Sequence, residues 1–298
     1  MPIMVSRSDC LTDSASKPLV WVTGAGGLIG HELVQTAPRF AADWSVRRLT
    51  RPELDLLDFA GVQRAFAAER PQLIIHCAAL SRSPDCQAKP DLARQVNVET
   101  TKLLCELAAE IPLVFFSTDL VFDGRSGGYR EESPVHPVSV YGETKVAAEA
   151  IVLANARHLV IRTSLNAGQS PTGDRAFNEQ MFLACQRGER LRLFTDEFRS
   201  PIPAVVTARA TWELINLRAT GLYHVAGSEA LSRFEMGRLI AARWSKLKPV
   251  LEPASCREFQ NPPRPPDTTL NCQKAQNVLS FRLPAFSDWL RENARGLG

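Results

Sequence analysis

Tyr141 and Lys145 stand four residues apart in a stretch with helical spacing, so they share one helix face, one turn apart. A free phenol has a pKa of about 10 and gives up its proton poorly at neutral pH. A nearby ammonium favours the phenolate and lowers that value, so the pair reads as a proton donor and its tuner. Ser117 and Thr118 end an apolar run at 112–117. Their hydroxyls can hydrogen-bond a substrate carbonyl oxygen, although hydroxyls at a strand end also serve as turn or cap residues. A phenol, an ammonium and two hydroxyls fit the reduction of a carbonyl, which also needs a hydride source.

Residues 19–30, LVWVTGAGGLIG, point to that source. A β-branched apolar run enters a glycine-rich turn, and a segment with helical spacing follows. Such a turn places a dinucleotide's pyrophosphate at a helix N-terminus. Gly24 allows the tight turn, Gly26 and Gly27 leave backbone open to phosphate oxygens, and Gly30 lets the helix pack on the sheet. The pyrophosphate is expected over residues 24–30, which includes Leu28 and Ile29. The next apolar run, 44–49, ends Val46-Arg47-Arg48-Leu49-Thr50-Arg51 with no acid at its tip. Sites for NAD usually carry an acid there, on the ribose 2′-hydroxyl. Arg48 and Arg51 suit a 2′-phosphate instead, so NADP(H) is the expected cofactor and NAD(H) the second candidate. Asp55-Leu56, on or after a short third strand, is placed to meet the adenine. Lys145 can also reach the nicotinamide ribose.

These residues need a scaffold, and the chain supplies one. Apolar runs at 19–23, 44–49, 73–77, 112–117, 158–163 and 222–225 alternate with helix-like stretches near 28–37, 58–69, 91–109, 141–155 and 205–217. The expectation is an α/β fold, a Rossmann-type doubly wound parallel sheet with a smaller C-terminal substrate-binding domain. Residues 1–17 lack an apolar signal core and read as a disordered leader. The dinucleotide-binding domain spans 18–163, with 204–225 returning to it. Residues 164–203 and 226–298, looser and rich in Gly, Pro, Ser and Arg, form the substrate-binding part. Ser232-Arg-Phe-Glu235 is a capping box that starts a helix at 233. The proline-rich stretch 261–267 is a loop.

With 298 residues and 45% hydrophobic content, the chain can bury a large core. A formal charge of +3 without an aromatic-interleaved basic stripe argues against nucleic acid. No apolar run is long enough to span a bilayer. Seven cysteines without a Cys-x-x-Cys pair indicate reduced thiols and a cytoplasmic protein. Five scattered histidines, at 31, 76, 136, 158 and 224, have no metal-ligand spacing and read as structural, so no metal is expected. The helices near 91–109 and 141–155 offer faces for a homodimer.

From about residue 18 onward the chain resembles the extended short-chain dehydrogenase/reductases, within them the dTDP-4-dehydrorhamnose reductase-like group. The resemblance is carried by the segments Thr23-Gly-Ala-Gly-Gly-Leu-Ile-Gly30, His76-Cys-Ala-Ala79 and Val96-Asn97-Val98. It continues in Ser117-Thr-Asp-Leu-Val-Phe-Asp-Gly124, Glu131-Glu132, Tyr141-Gly-Glu-Thr-Lys145, Arg162-Thr-Ser164, Gly221-Leu-Tyr-His224 and Arg264-Pro-Pro-Asp-Thr-Thr-Leu270. It implies Thr118, Tyr141 and Lys145 as the catalytic set, supported by Asn97. It puts Ala78, Ala79, Ser117, Arg162 and Thr163 near the cofactor, and Ser117, Asp119, Arg199 and Arg264 at the substrate. Leu120 and Leu165-Asn166 stand where that group usually has aromatic residues, which changes the surface offered to a sugar. The reading that results is an NADP(H)-dependent reductase of a keto group, on a small molecule such as a 4-keto nucleotide sugar. A nucleotide-sugar epimerase or dehydratase is one alternative, and a non-catalytic NADP-binding regulatory subunit the other.

Overall fold

The computed structural model describes residues 17–244, 247, 249–258 and 261–293. The leader expected at 1–17 therefore lies outside the described residues, apart from Lys17. Six parallel strands form the central sheet. They are β1 (Leu19–Thr23), β2 (Ser45–Leu49), β3 (Leu73–His76), β4 (Leu113–Thr118), β5 (Leu159–Thr163) and, after the short pieces β6 (Asn166–Ala167), β7 (Leu191–Phe194), β8 (Phe198–Arg199) and β9 (Ile202–Pro203), β10 (Gly221–His224). Their order across the sheet is β2-β1-β3-β4-β5-β10. The chain leaves β1 outward to β2 and returns to the other side for β3. The crevice beyond the strands' carboxyl ends at such a reversal is where open α/β sheets bind ligands.

Strands buried on both faces read as continuous apolar runs, and here β3 and β4 have no exposed residue. Helices α1 (Leu28–Phe40) and α8 (Ala204–Asn216) cover one face. Their core joins Val20, Val22, Ile75, Phe116 and Ile161 to Leu33, Ala208 and Trp212. Helices α2 (Phe59–Glu69), α5 (Thr100–Leu107) and α6 (Val140–Leu153) lie on the other, around Trp21, Ile74, Phe115 and Val160. Between α2 and α5 come α3 (Ser83–Ala88) and α4 (Pro90–Arg94). The helix expected over 91–109 is interrupted by a π-turn at Gln95–Glu99. The expected short strand at Asp55-Leu56 is absent: Leu57 N–H donates to Asp55 Oδ1 at 3.1 Å, a local turn that takes the chain out of extended pairing.

A smaller lobe packs α7 (Phe177–Gln186), α9 (Arg233–Ala241) and α11 (Phe286–Glu292) around Phe177, Met236, Ile240 and Phe286. β11 (Leu231–Ser232) pairs antiparallel with β8, and β12 (Leu251–Ala254) parallel with β7. Ser232 and Glu235 cap α9 reciprocally, as their spacing predicts. Ala275, Leu279 and Leu283, in and after α10 (Gln273–Gln276), pack on the α1/α8 face of the sheet rather than within the smaller lobe.

Candidate active site

The glycine turn sits at the strand reversal. Gly24 has φ +67°, and a Cβ there would lie 2.6 Å from Ala78 N, so β1 and β3 approach backbone to backbone. A Cβ on Gly30 would lie 2.4 Å from Gly24 O, which explains why α1 can begin so close to the turn. At Gly26 a Cβ would meet only Thr50 Cγ2 at 3.7 Å, so that backbone is open. Gly27 is the N-cap of α1 and supplies no side-chain cap. The first N–H groups of α1, at Leu28 and Ile29, thus face an anion site with no side chain already bound to them. A small cavity of about 130 Å³ adjoins the turn, lined by Gly26, His31, Gln35, Arg48 and Pro171 among others. His31 and Gln35 were not singled out from the sequence, since each is a lone polar residue on an apolar helix.

Asn97 explains the π-turn. Its Oδ1 accepts from Leu80 N–H at 2.8 Å, and its Nδ2 donates to Leu80 O and to Thr144 Oγ1 at 3.1 and 3.0 Å. A widened turn aims this side chain at two elements at once. It pins the segment after β3, with Ala78 and Ala79, to the first turn of α6, which carries Tyr141.

Tyr141 and Lys145 are both buried on α6, as their spacing predicts. Their electrostatics differ from the sequence reading. Burial pushes the Tyr141 phenol up, opposed by a hydrogen bond with Thr118. Burial also pulls Lys145 down to about 7, with Glu149 opposing. The ammonium lies over the Phe115 ring, 3.8 Å from its centroid. Desolvation acts on both groups and outweighs any lowering of the phenol by the amine. Ser117 Oγ is buried at the end of β4 and makes no hydrogen bond within the protein. Thr118 Oγ1 accepts from Leu120 N–H and donates to Asp119 Oδ1, each at 3.2 Å.

Several expected ligand contacts are engaged inside the protein. Asp119 is buried and also accepts from Ser164 and Thr268 at 2.8 Å each. Its pKa is raised by burial, against the pull of Arg199. Arg199, 4% exposed, sits between Asp119 at 3.6 Å and Glu197 at 3.3 Å, so it is an internal ion-pair partner and not a free cation for substrate. Arg264 also pairs with Glu197, at 2.9 Å, but its side chain is 37% exposed. Arg233, which the sequence did not flag, reaches the same carboxylate at 3.9 Å. Three guanidiniums thus share Glu197, and the burial of that carboxylate is why the arginines turn inward. Arg162 is likewise engaged: its Nε and Nη2 grip both Glu149 oxygens at 2.9 and 2.7 Å, with both side chains buried.

At the end of β2, Arg51 pairs with Asp55 at 3.4 Å and Arg48 with Glu53 at 3.7 Å. The acid missing from the strand tip is therefore present in space. Glu53 folds back so that its Oε2 accepts from Thr50 N–H at 2.9 Å and Thr50 Oγ1 at 2.6 Å. The signal was in the sequence, since Thr50-x-x-Glu53 is the pattern of a capping box.

An uncapped helix N-terminus beside open glycine backbone, and an orphaned buried hydroxyl at the end of β4, fit a nicotinamide dinucleotide. Among the described residues, no helix is long and apolar enough to cross a membrane.

Comparison with known proteins gives consistent matches along the chain. Residues 19–296 match the family described as the RmlD substrate binding domain. Methionine adenosyltransferase 2 subunit beta of Pongo abelii is 29% identical, over 87% of this chain and 82% of its own length. The spore coat polysaccharide biosynthesis protein SpsK of Bacillus subtilis is also 29% identical, covering 88% and 89%. Among solved structures, a dTDP-4-dehydrorhamnose reductase from Bacillus anthracis in complex with NADP superposes with a TM-score of 0.84 at 26% identity. That match covers 93% of this chain and 98% of the other.

Proposed function

We propose, from the premise that this chain belongs to the RmlD substrate binding domain family, that it is an NADP(H)-dependent reductase of a keto group on a nucleotide sugar. The observation that carries the reading is the meeting of Ser117 and Thr118 with Tyr141 and Lys145 beside the open glycine turn. NAD(H) is the second cofactor.

The residues divide the work as follows. Backbone N–H groups of Leu28 and Ile29, with the open backbone of Gly26 and Gly27, hold the pyrophosphate; Ala78 and Ala79 shape the crevice floor. Bound cofactor supplies a hydride to the carbonyl carbon. Ser117 and Thr118 donate hydrogen bonds to the carbonyl oxygen; Thr118 does so by turning its hydroxyl from Asp119. Tyr141, kept protonated by burial, delivers its proton to that oxygen, so the carbonyl gains one hydride and one proton. Lys145, near neutrality in its pKa, stabilises the phenolate and can return a proton to it. Asp119 and Arg199 hold Thr118 and the smaller lobe in register, and Arg264, the most exposed cation of its cluster, contacts the substrate's phosphates.

A dehydratase would need a second acid beside Asp119, and Leu120 stands there. The beta-subunit relatives favour a regulatory reading in which the cofactor is held without turnover. The protein is expected in the cytoplasm, with α5 and α6 the faces for a homodimer. The experiment is a panel of dTDP-linked 4-keto sugars with NADPH, followed by nicotinamide absorbance and product mass. Oxidation of NADPH with a matching two-hydrogen gain in the sugar is expected. Tight NADPH binding without turnover on the whole panel would instead favour the regulatory subunit.

A further inference from the structure

The tip of β2 carries a charge arrangement that the linear sequence hides. Thr50 and Glu53 close a turn in which Glu53 N–H and Leu54 N–H both donate to Thr50 O at 3.0 Å. That turn returns the Glu53 carboxylate to the strand end, with Oε2 on Thr50 and Oε1 toward Arg48 Nε at 3.7 Å and Arg47 Nη1 at 4.0 Å. The Thr50 hydrogen bonds are the main reason its acid stays ionised at neutral pH. This point is close to the glycine turn. Thr50 is the side chain that a Cβ on Gly26 would meet, and Arg48 lines the cavity that also touches Gly26 and His31.

A carboxylate and a guanidinium therefore stand together where the adenosine ribose leaves the pyrophosphate site. The two ask opposite things of the ribose 2′ position. A hydroxyl donates to the carboxylate and gains nothing from the guanidinium. A phosphate pairs with the guanidinium and is repelled by the carboxylate. We propose that Glu53 sets the cofactor selectivity of this chain, keeping NAD(H) competitive by accepting from the 2′-hydroxyl and opposing the pull of Arg48 on NADP(H). The inference rests on the nicotinamide-cofactor reading above and deepens it.

Glu53→Gln separates charge from structure, because a capping box takes Gln as readily as Glu. Calorimetric dissociation constants for NADPH and NADH would be measured on wild type, Glu53→Gln and Arg48→Met, with thermal unfolding of each. Glu53→Gln should move the selectivity about tenfold toward NADPH, the size of one charge–charge interaction at a surface. Arg48→Met should move it about tenfold toward NADH. A selectivity unchanged within twofold in Glu53→Gln, with both cofactors bound, would overturn the inference alone and leave Glu53 a turn cap only. If wild type binds neither cofactor, the cofactor reading falls and takes this inference with it.

Discussion

At the scale of single residues, the proposed chemistry depends on two groups whose charge states burial has shifted. Tyr141→Phe keeps the ring and its packing and removes the transferable proton. Turnover on any accepted ketone should fall by about 10²–10⁴-fold while the NADPH dissociation constant stays within twofold. Near-normal turnover in that variant would make Tyr141 structural. Lys145 gives a second test through stability. Its native pKa of about 7 lies below an unfolded value of about 10.4. Below pH 7 both states carry the proton, and the native state bears the cost of a buried charge. Between roughly pH 7 and 10 the unfolded chain holds a proton that the native state has shed, so stability rises with pH. In the ligand-free protein, the melting temperature of wild type relative to Lys145→Met should therefore climb across that window. A flat difference would mean that Lys145 remains charged in the fold. The spacing of Tyr141 and Lys145 made their shared face legible in the sequence. Their pKa directions were not, because desolvation comes from Phe115 and other residues distant along the chain.

At the scale of elements, two glycines of one motif have separable tasks. The Gly27→Ala methyl would sit 3.3 Å from Gly24 O, a contact that a small shift relieves. It projects at the start of α1, where the pyrophosphate is proposed to lie. A Gly30→Ala methyl would sit 2.4 Å from the same oxygen, and backbone would have to move. Gly27→Ala should lose at least about tenfold in NADPH affinity with little change in melting temperature, whereas Gly30→Ala should lose stability first. Equal thermal losses in a melting comparison would erase the distinction. The clamp between α6 and β5 is testable in the same way. Arg162→Met leaves Glu149 buried and unpaired and should cost about 3–5 kcal/mol in urea unfolding. The double variant Arg162→Met, Glu149→Met should regain most of that loss; no recovery would show that the pair is not the clamp. Strand and helix alternation was readable from apolar runs because β3 and β4 are buried on both faces. Glu53 and Asn97 were harder to place: a capping box and a π-turn aim side chains across gaps that periodicity does not encode.

At the scale of the whole molecule, the parts that sequence reading treated as loose are tied down by charge. Glu197, between β7 and β8, gathers Arg199, Arg233 and Arg264 from three separate segments, and Asp119 links that cluster to Thr118. Arg199 and Arg264 had the residue type expected of phosphate ligands, and no local signal told that Glu197 would meet them. Long-range ion pairs leave no periodic trace, so the doubly wound sheet was legible and its connection to the smaller lobe was not. The return of Ala275, Leu279 and Leu283 to the sheet was equally hidden, because α10 is a single short turn.

The order of the strands also sets a timetable for synthesis. β10 completes the sheet, yet it is translated only after the chain's first excursion into the smaller lobe, some tens of residues beyond β5. At roughly 5–20 residues per second, the hydrogen-bonding edge of β5 stays open on the ribosome for on the order of seconds. An open, apolar strand edge is a template for pairing with another chain. Nascent chains arrested with β5 outside the exit tunnel and β10 still within it should therefore be cleaved by a brief protease pulse. Chains released at full length should resist it. Equal resistance of the two would mean that the sheet does not wait for its last strand.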